Sequence, residues 1–268
     1  MEWYQAVLLG LVQGISEFLP ISSSGHLILV PRLLNWPDQG LDFDIASNTG
    51  TLLAVLVYFR HDVWRLIEGS WSSTRRGHLA DNPEAYLFWA LCLATIPVGL
   101  AGLSFKSLIE SMGRSPSLIA TTAIVFGLLL GLADWLGRKR LDMPMLSWHH
   151  ALLIGLAQAL ALVPGTSRSG ATMTMALMLG FTRETAARFS FLLAIPVGVL
   201  VAALDLVELS HKTVTEHEWQ MLAIGLLVSS VAGLVVIHGL LSWLRQQGLM
   251  VFVVYRLLLG TAIFFLVV

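Results

Sequence analysis

The chain has 268 residues, 56% of them hydrophobic and only 12% charged, with a mean hydropathy of +0.77. Soluble domains usually carry about 25% charge, so the expected surrounding is lipid rather than water. A net charge of −1 argues against a nucleic-acid-binding face, and the single cysteine, Cys92, excludes an internal disulfide and reads as a small packed hydrophobe.

In chain order, the first twenty residues carry Glu2 and Glu17 and lack a basic start and a small-residue cleavage site. They do not read as a signal peptide. A membrane-spanning helix needs about 20 mostly apolar residues, because each adds about 1.5 Å and the hydrocarbon is about 30 Å thick. Residues 85–105, 116–136, 189–206, 219–243 and 249–268 meet or approach that requirement. A sixth run, 45–59, is shorter and opens on polar Ser47, Asn48 and Thr49. Residues 4–34 and 149–179 are different: each is apolar at both ends and interrupted in the middle by Pro, Gly and hydroxyl residues. Neither half is long enough to span, which suits a re-entrant helix–loop–helix. Broken backbone at membrane depth must be buried in protein or line a wet cavity.

These two segments repeat one another. Gly10, Gln13, Ser22, Ser24 and Gly25 match Gly155, Gln158, Ser167, Ser169 and Gly170 at an offset of 145. Each hairpin is followed by three spanning runs, an odd number, so the second unit sits inverted relative to the first. The expected fold is therefore an all-α polytopic membrane protein: six transmembrane helices plus two re-entrant hairpins in an inverted-topology repeat. It forms one integral membrane domain over 1–268, with repeat one at about 1–145 and repeat two at about 146–268. Inverted repeats with broken helices place a site near the midplane, where the breaks meet. Segments 60–84, 137–148 and 242–248 hold most of the basic loop residues, among them Arg60, Arg65, Arg75, Arg138, Lys139 and Arg245, and should be cytoplasmic. The opposite side has Lys106, Arg114 and Lys212. Trp135, Trp148, Trp219 and Trp243 stand at run ends, as interfacial anchors do.

A charge near the bilayer centre costs roughly 2.5–3.5 kcal/mol on insertion scales, so intramembrane ionisable groups mark function. Glu17 and Arg168 are two such groups. Gln13 and Glu17, four apart, share a helix face. Ser23 and His26, three apart, form the minimal pair for nucleophilic attack with proton transfer. Ser167 or Ser169 would cap the following helix, whose open N–H groups suit phosphate, while Arg168 adds a bidentate fork. Arg256 interrupts the last span and is expected to snorkel or to pair with an acid such as Asp44 or Asp205. The histidines lack zinc-ligand spacing. Glu17 together with phosphate oxygens could hold a hard cation, Mg²⁺ or Ca²⁺.

The stretch Gln13-Gly-Ile-Ser-Glu17-Phe-Leu-Pro-Ile-Ser-Ser23-Ser-Gly-His26 resembles the (Glu/Gln)-x-x-x-Glu motif, with its downstream serines and histidine, of undecaprenyl-diphosphate phosphatases of the bacitracin-resistance type. Pro164-Gly-Thr-Ser167-Arg168-Ser169-Gly-Ala-Thr172 is similar to that family's second motif, Pro-Gly-x-Ser-Arg-Ser-x-x-Thr, and the likeness runs on through Trp36-Pro-Asp-Gln-Gly-Leu and Tyr255-Arg256. The resemblance implies a multi-pass enzyme of the bacterial cytoplasmic (inner) membrane with its site open to the periplasm. It implies removal of the terminal phosphate from undecaprenyl diphosphate, which recycles the lipid carrier of cell-wall glycan synthesis. Glu17, Ser23, His26, Ser167, Arg168 and Thr172 match its functional positions. Gln13 stands where some members have glutamate, so a metal site would draw charge from Glu17 alone, and Ala46-Ser47-Asn48-Thr49 departs from the more usual pattern.

The resulting expectation is a phosphatase in which Glu17, Ser23 and His26 are catalytic, Ser167, Arg168, Ser169 and Thr172 bind phosphate, and Gln13 and Glu17 are candidate cation ligands. Its partners would be a polyprenyl diphosphate and membrane lipids, with no nucleic acid, and with monomer or homodimer left open. Ser23, His26 and water remain alternative nucleophiles. Lipid phosphatases of the vanadium-haloperoxidase-like type fit less well, because no histidine follows Arg168 until His211. A lipid or small-molecule transporter on the same architecture is the rival from outside enzymology.

Overall fold

The computed structural model describes residues 1–76, 82–105, 115–210 and 215–266, apart from the side chains of residues 76 and 204–210. Asp205, Lys106, Arg114 and Lys212, which entered the expectations above, lie outside the described side chains. The described residues form eleven α-helices, one 3₁₀ turn (Met143–Met145) and one isolated bridge between Leu141 and Phe181. In order these are α1 (Trp3–Ser16), α2 (Ser23–Leu33), α3 (Leu41–Tyr58), α4 (Arg60–Arg76), α5 (Pro83–Ser104) and α6 (Pro116–Leu136). There follow α7 (Trp148–Leu160), α8 (Arg168–Met178), α9 (Arg183–Ser210), α10 (Glu216–Leu244) and α11 (Met250–Leu266).

Local chemistry fixes many of these boundaries. Asn82 caps α5 by accepting from the N–H groups of Glu84 and Ala85, with Pro83 at the first position. Thr215 and Glu218 form a capping box on α10, as Ser147 and His150 do on α7. Helices α5, α6, α10 and Arg183–Ala203 of α9 are long and apolar enough to cross a membrane, and α11 is an apolar helix of 17 residues. This is a polytopic membrane protein. Trp135, Trp148, Trp219 and Trp243 are all exposed near helix ends.

Helix α4 corrects the reading of 60–84 as a loop. It is polar overall, so a search for continuous apolar runs misses it. Its apolar signal is a stripe: Trp64, Ile67 and Trp71 are exposed on one face, and the Arg75 guanidinium stands 4.7 Å over the Trp71 ring.

Helix α1 lies on α10, and α7, which carries the residues matching those of α1 at the offset of 145, lies on α5. Glycine makes both approaches close. A Cβ on Gly10 would stand 3.1 Å from the Gly225 carbonyl oxygen, and one on Gly155 would stand 2.4 Å from that of Ala94. Helices α6 and α11 pack against each other, while α2 and α8 both reach α6. The two breaks, 17–22 and 161–167, are thereby brought together inside the bundle.

Candidate active site

The two broken segments are built alike. Ser22 and Ser167, repeat equivalents, cap α2 and α8 with φ of 74° and 69°, a left-handed region that serine rarely adopts. In each, the hydroxyl of the N-cap serine meets that of the serine two residues on, Ser22 to Ser24 at 3.2 Å and Ser167 to Ser169 at 3.1 Å, although only the Ser167 hydroxyl also accepts from a helix N–H. Each second serine then crosses to the other break. Ser24 Oγ accepts from the Gly165 N–H at 3.2 Å, and Ser169 Oγ donates to the carbonyl of Leu19 at 3.0 Å.

Arg256 locks this junction. It is completely buried, and its guanidinium donates to the carbonyls of Pro20, Gly165, Thr166, Thr122 and Ala123 at 3.0–3.4 Å. The expectation that it would snorkel or pair with an acid is corrected. Asp44 instead accepts from Gln39 Nε2 at 2.8 Å, and among the described residues Arg256 meets no carboxylate. Carbonyls turned inward by two broken segments carry enough partial negative charge to hold a cation.

Glu17, at the end of α1, gathers the reactive groups. Its Oε2 accepts from Ser23 Oγ at 2.9 Å and from Gln13 Nε2 at 3.2 Å, while its Oε1 faces Arg168 Nη2 at 3.3 Å. The acid and the guanidinium are only 17% and 18% exposed. A second Arg168 nitrogen donates to the Ser190 carbonyl at 3.2 Å. Gln13, 1% exposed, also donates to Asn48 Oδ1 at 2.7 Å, and its own Oε1 is buried without a partner among the described residues.

Three expected site residues are placed differently. His26 does not meet Ser23: its Nδ1 lies 2.7 Å from the Ser22 carbonyl and its Nε2 lies 2.6 Å from the Tyr255 hydroxyl. A carbonyl only accepts, so Nδ1 carries the proton, and in the neutral ring Nε2 accepts from Tyr255. The three-residue spacing assumed a regular first turn, but the strained Ser22 starts α2 so that Ser23 faces Glu17. Ser169 and Thr172 are fully buried and turned inward. Thr172 Oγ1 lies 2.8 Å from the Arg168 carbonyl and 2.7 Å from Ser190 Oγ. These two hydroxyls brace the loop and α8 rather than face a cavity. Ser167 caps Gly170 N at 3.2 Å. Asn48 and Ser190 hold Gln13 and Arg168, and sequence reasoning gave neither a role. Asn48 was visible as a polar residue at the start of the sixth run and as a departure from a pattern, Ser190 as a hydroxyl in an apolar run.

The comparisons with known proteins fit this geometry. The family model of bacitracin resistance protein BacA matches residues 6–262. The chain belongs to that family. Among curated relatives, a protein of Magnetococcus marinus named undecaprenyl-diphosphatase is 54% identical over 266 residues, covering 98% of each chain. Proteins of the same name from Marinobacter nauticus and Nitrosococcus oceani are each 47% identical, covering 98% and 99% of both chains respectively. The two breaks lie within the matched residues, with Glu17 between Ser23 and Arg168.

Proposed function

We propose that this chain hydrolyses undecaprenyl diphosphate to undecaprenyl phosphate and inorganic phosphate, returning a lipid carrier to cell-wall glycan synthesis. The observation that carries the mechanism is the single carboxylate of Glu17, bonded on one oxygen to a serine hydroxyl and on the other to an arginine. Ser23 Oγ attacks the terminal phosphorus as its proton passes to Glu17 Oε2. Protonation removes the charge that holds Arg168, which is then free to fork onto the phosphoryl oxygens as charge builds there. The P–O bond to the lipid phosphate breaks. Water next attacks the phosphoserine, and Glu17 returns the proton to the departing Ser23 oxygen. Ser167 and the open N–H end of α8 support the phosphate. His26, held between Ser22 and Tyr255, fits a positioning role better than a nucleophilic one.

A divalent cation, Mg²⁺ or Ca²⁺, belongs to the same reading. The buried, unpartnered Oε1 of Gln13 beside Glu17 fits a hard cation that takes most of its ligands from the substrate's oxygens. Such an ion would neutralise diphosphate charge.

The membrane arrangement of this proposal is six spans with two re-entrant hairpins. Helices α1 and α2 have 14 and 11 residues and α7 and α8 have 13 and 11, all too short to cross. The basic loops would lie in the cytoplasm of a bacterial inner membrane, with the site facing outward. Detergent-purified protein should release phosphate from undecaprenyl diphosphate and yield an acid-stable phosphoserine at Ser23. No release with any divalent ion sinks the phosphatase reading; release without a phosphoenzyme, and with Ser23→Ala keeping more than about a tenth of the rate, sinks the serine nucleophile.

A further inference from the structure

Helix α4 takes no part in the site, and its surface divides three ways. At about 100° per residue, Leu66, Gly69, Ser70 and Ser73 share one side and are buried. His61, Arg65 and Glu68 share a second side and are exposed. Trp64, Ile67 and Trp71 form a third, and are 69%, 52% and 64% exposed. The three sides stand about 90–150° apart. A helix on a soluble domain needs two sides, one toward the protein and one toward water. A third side, aromatic and aliphatic, needs a third medium.

Packing sets the level of that medium. A Cβ on Gly69, in the middle of α4, would stand 2.9 Å from Glu84 Cβ and 3.2 Å from Asn82 Oδ1. Those two residues open α5, one of the helices long enough to cross a membrane. One turn further along α5, Tyr86 meets Trp148 with ring centroids 4.4 Å apart, and Tyr and Trp gather at membrane–water boundaries. The middle of α4 is therefore level with the point where a span leaves the hydrocarbon. Charge then selects the lipid. Asp62 is taken by Arg188 at 2.7 Å, which leaves Arg60, Arg65 and Arg75 against Glu68 among the described side chains of α4. Arg60 and Arg75 are exposed at the two ends of the stripe, about 22 Å apart, with Arg75 held 4.7 Å over the Trp71 ring.

We infer that α4 is a membrane-surface helix that binds anionic phospholipid. It lies along the boundary on the side that carries the basic loops, with Trp64, Ile67 and Trp71 among the upper acyl chains and Arg60 and Arg75 on lipid phosphates. A helix of low overall hydropathy with an aromatic stripe and basic flanks holds a lipid surface in this way, and each basic group near an anionic surface adds to the attraction. The contact involves neither Glu17, Ser23 nor Arg168, so it is independent of the phosphatase reading.

Two measurements on the full-length protein in vesicles test this. The first uses nitroxides on Trp64→Cys, Arg65→Cys, Ile67→Cys, Glu68→Cys and Trp71→Cys, each combined with Cys92→Ala. Oxygen should relax the labels at 64, 67 and 71 more than a water-soluble nickel chelate does, with the order reversed at 65 and 68. Labels at 64 and 71 should lie at equal depth, whereas a helix standing along the membrane normal would separate them by about 10 Å. The second reads tryptophan quenching by brominated lipid, taken as the difference between wild type and Trp64→Phe/Trp71→Phe. In phosphatidylcholine vesicles, brominated phosphatidylglycerol should quench that component about fivefold more than the same fraction of brominated phosphatidylcholine. Arg60→Gln/Arg75→Gln should make the two lipids equal. Water exposure at 67, dipolar broadening between labels at 67 on two copies of the chain, a depth difference of about 10 Å, or equal quenching by the two lipids in the wild type overturns the assignment.

Discussion

Arg256 gives the sharpest test of how the two breaks are held. Arg256→Met keeps the length of the side chain and deletes every donor. Of the five carbonyls it serves, those of Pro20, Gly165 and Thr166 lie outside any helix, so no helical N–H stands ready to replace it. A stranded buried acceptor costs about 1–3 kcal/mol, so three would cost about 3–9 kcal/mol. Part of this is recovered because a fully buried guanidinium no longer has to be desolvated, which brings the expected net loss to about 3–5 kcal/mol. For a chain of this size that corresponds to a fall in Tm of about 6–20 °C. The assay is a thermal melt of detergent-purified protein without substrate, read by loss of monodispersity, beside phosphate release at a temperature where the variant is folded. Arg256→Lys should fare nearly as badly, since one ammonium cannot span carbonyls drawn from three segments. A melt within about 2 °C of wild type for Arg256→Met would show that the carbonyls find other donors, and the account of the junction would be wrong.

Three further outcomes are expected. Glu17→Gln should lower phosphate release by about 10²–10⁴-fold, because it removes the proton acceptor of Ser23, while leaving the fold intact; activity within tenfold of wild type would assign the proton elsewhere. His26→Asn can place its amide N–H near the position of Nδ1 and keep the bond to the Ser22 carbonyl, so it should retain far more activity than His26→Gln or His26→Ala; equal and complete loss in all three would favour a histidine that reacts. Chelation of purified protein should abolish phosphate release, and Mg²⁺ or Ca²⁺ should restore it; full activity in excess chelator would remove the cation from the proposal.

Much of the architecture was legible because the physics behind it is strong. Pro20 and Pro164 each lead into a run of serine, threonine and glycine, and the observed breaks at 17–22 and 161–167 fall there, whereas Pro31, Pro97 and Pro196, which lack such runs, lie inside helices. The run at 116–136 coincides with α6, while 189–206 begins six residues inside α9, because the polar first turns of that helix carry no hydropathy signal. Side-chain direction near the breaks was harder to read. Spacing rules assume regular helix, and Ser22 and Ser167 are not regular. Hydroxyls were expected to face a ligand, yet in an apolar interior Ser169 and Thr172 are satisfied by neighbouring carbonyls. Arg256 was expected to snorkel or to pair with an acid, because those are the partners visible in sequence, whereas the convergence of carbonyls from three segments is a property of the fold alone.

The matching positions of the two broken segments hold different residues at the candidate site. The offset that pairs Gly10 with Gly155 pairs Ser23 with Arg168, and it pairs Glu17 with Leu162. Ser23 and Arg168 each follow a strained serine, each opens a helix, and each reaches one oxygen of the same carboxylate. Two copies of either half would fail. Two serine halves would leave Glu17 and its counterpart facing each other without a cation; two arginine halves would hold a phosphate but offer no nucleophile and no base. One carboxylate balanced by one guanidinium keeps the resting site neutral in a low dielectric, where an unpaired charge is costly. In the proposed mechanism the same balance would make the site responsive: a proton arriving on Glu17 from Ser23 would release Arg168 as charge builds on the phosphoryl group. Divergence at those two equivalent positions is what turns a symmetric junction into a directional one.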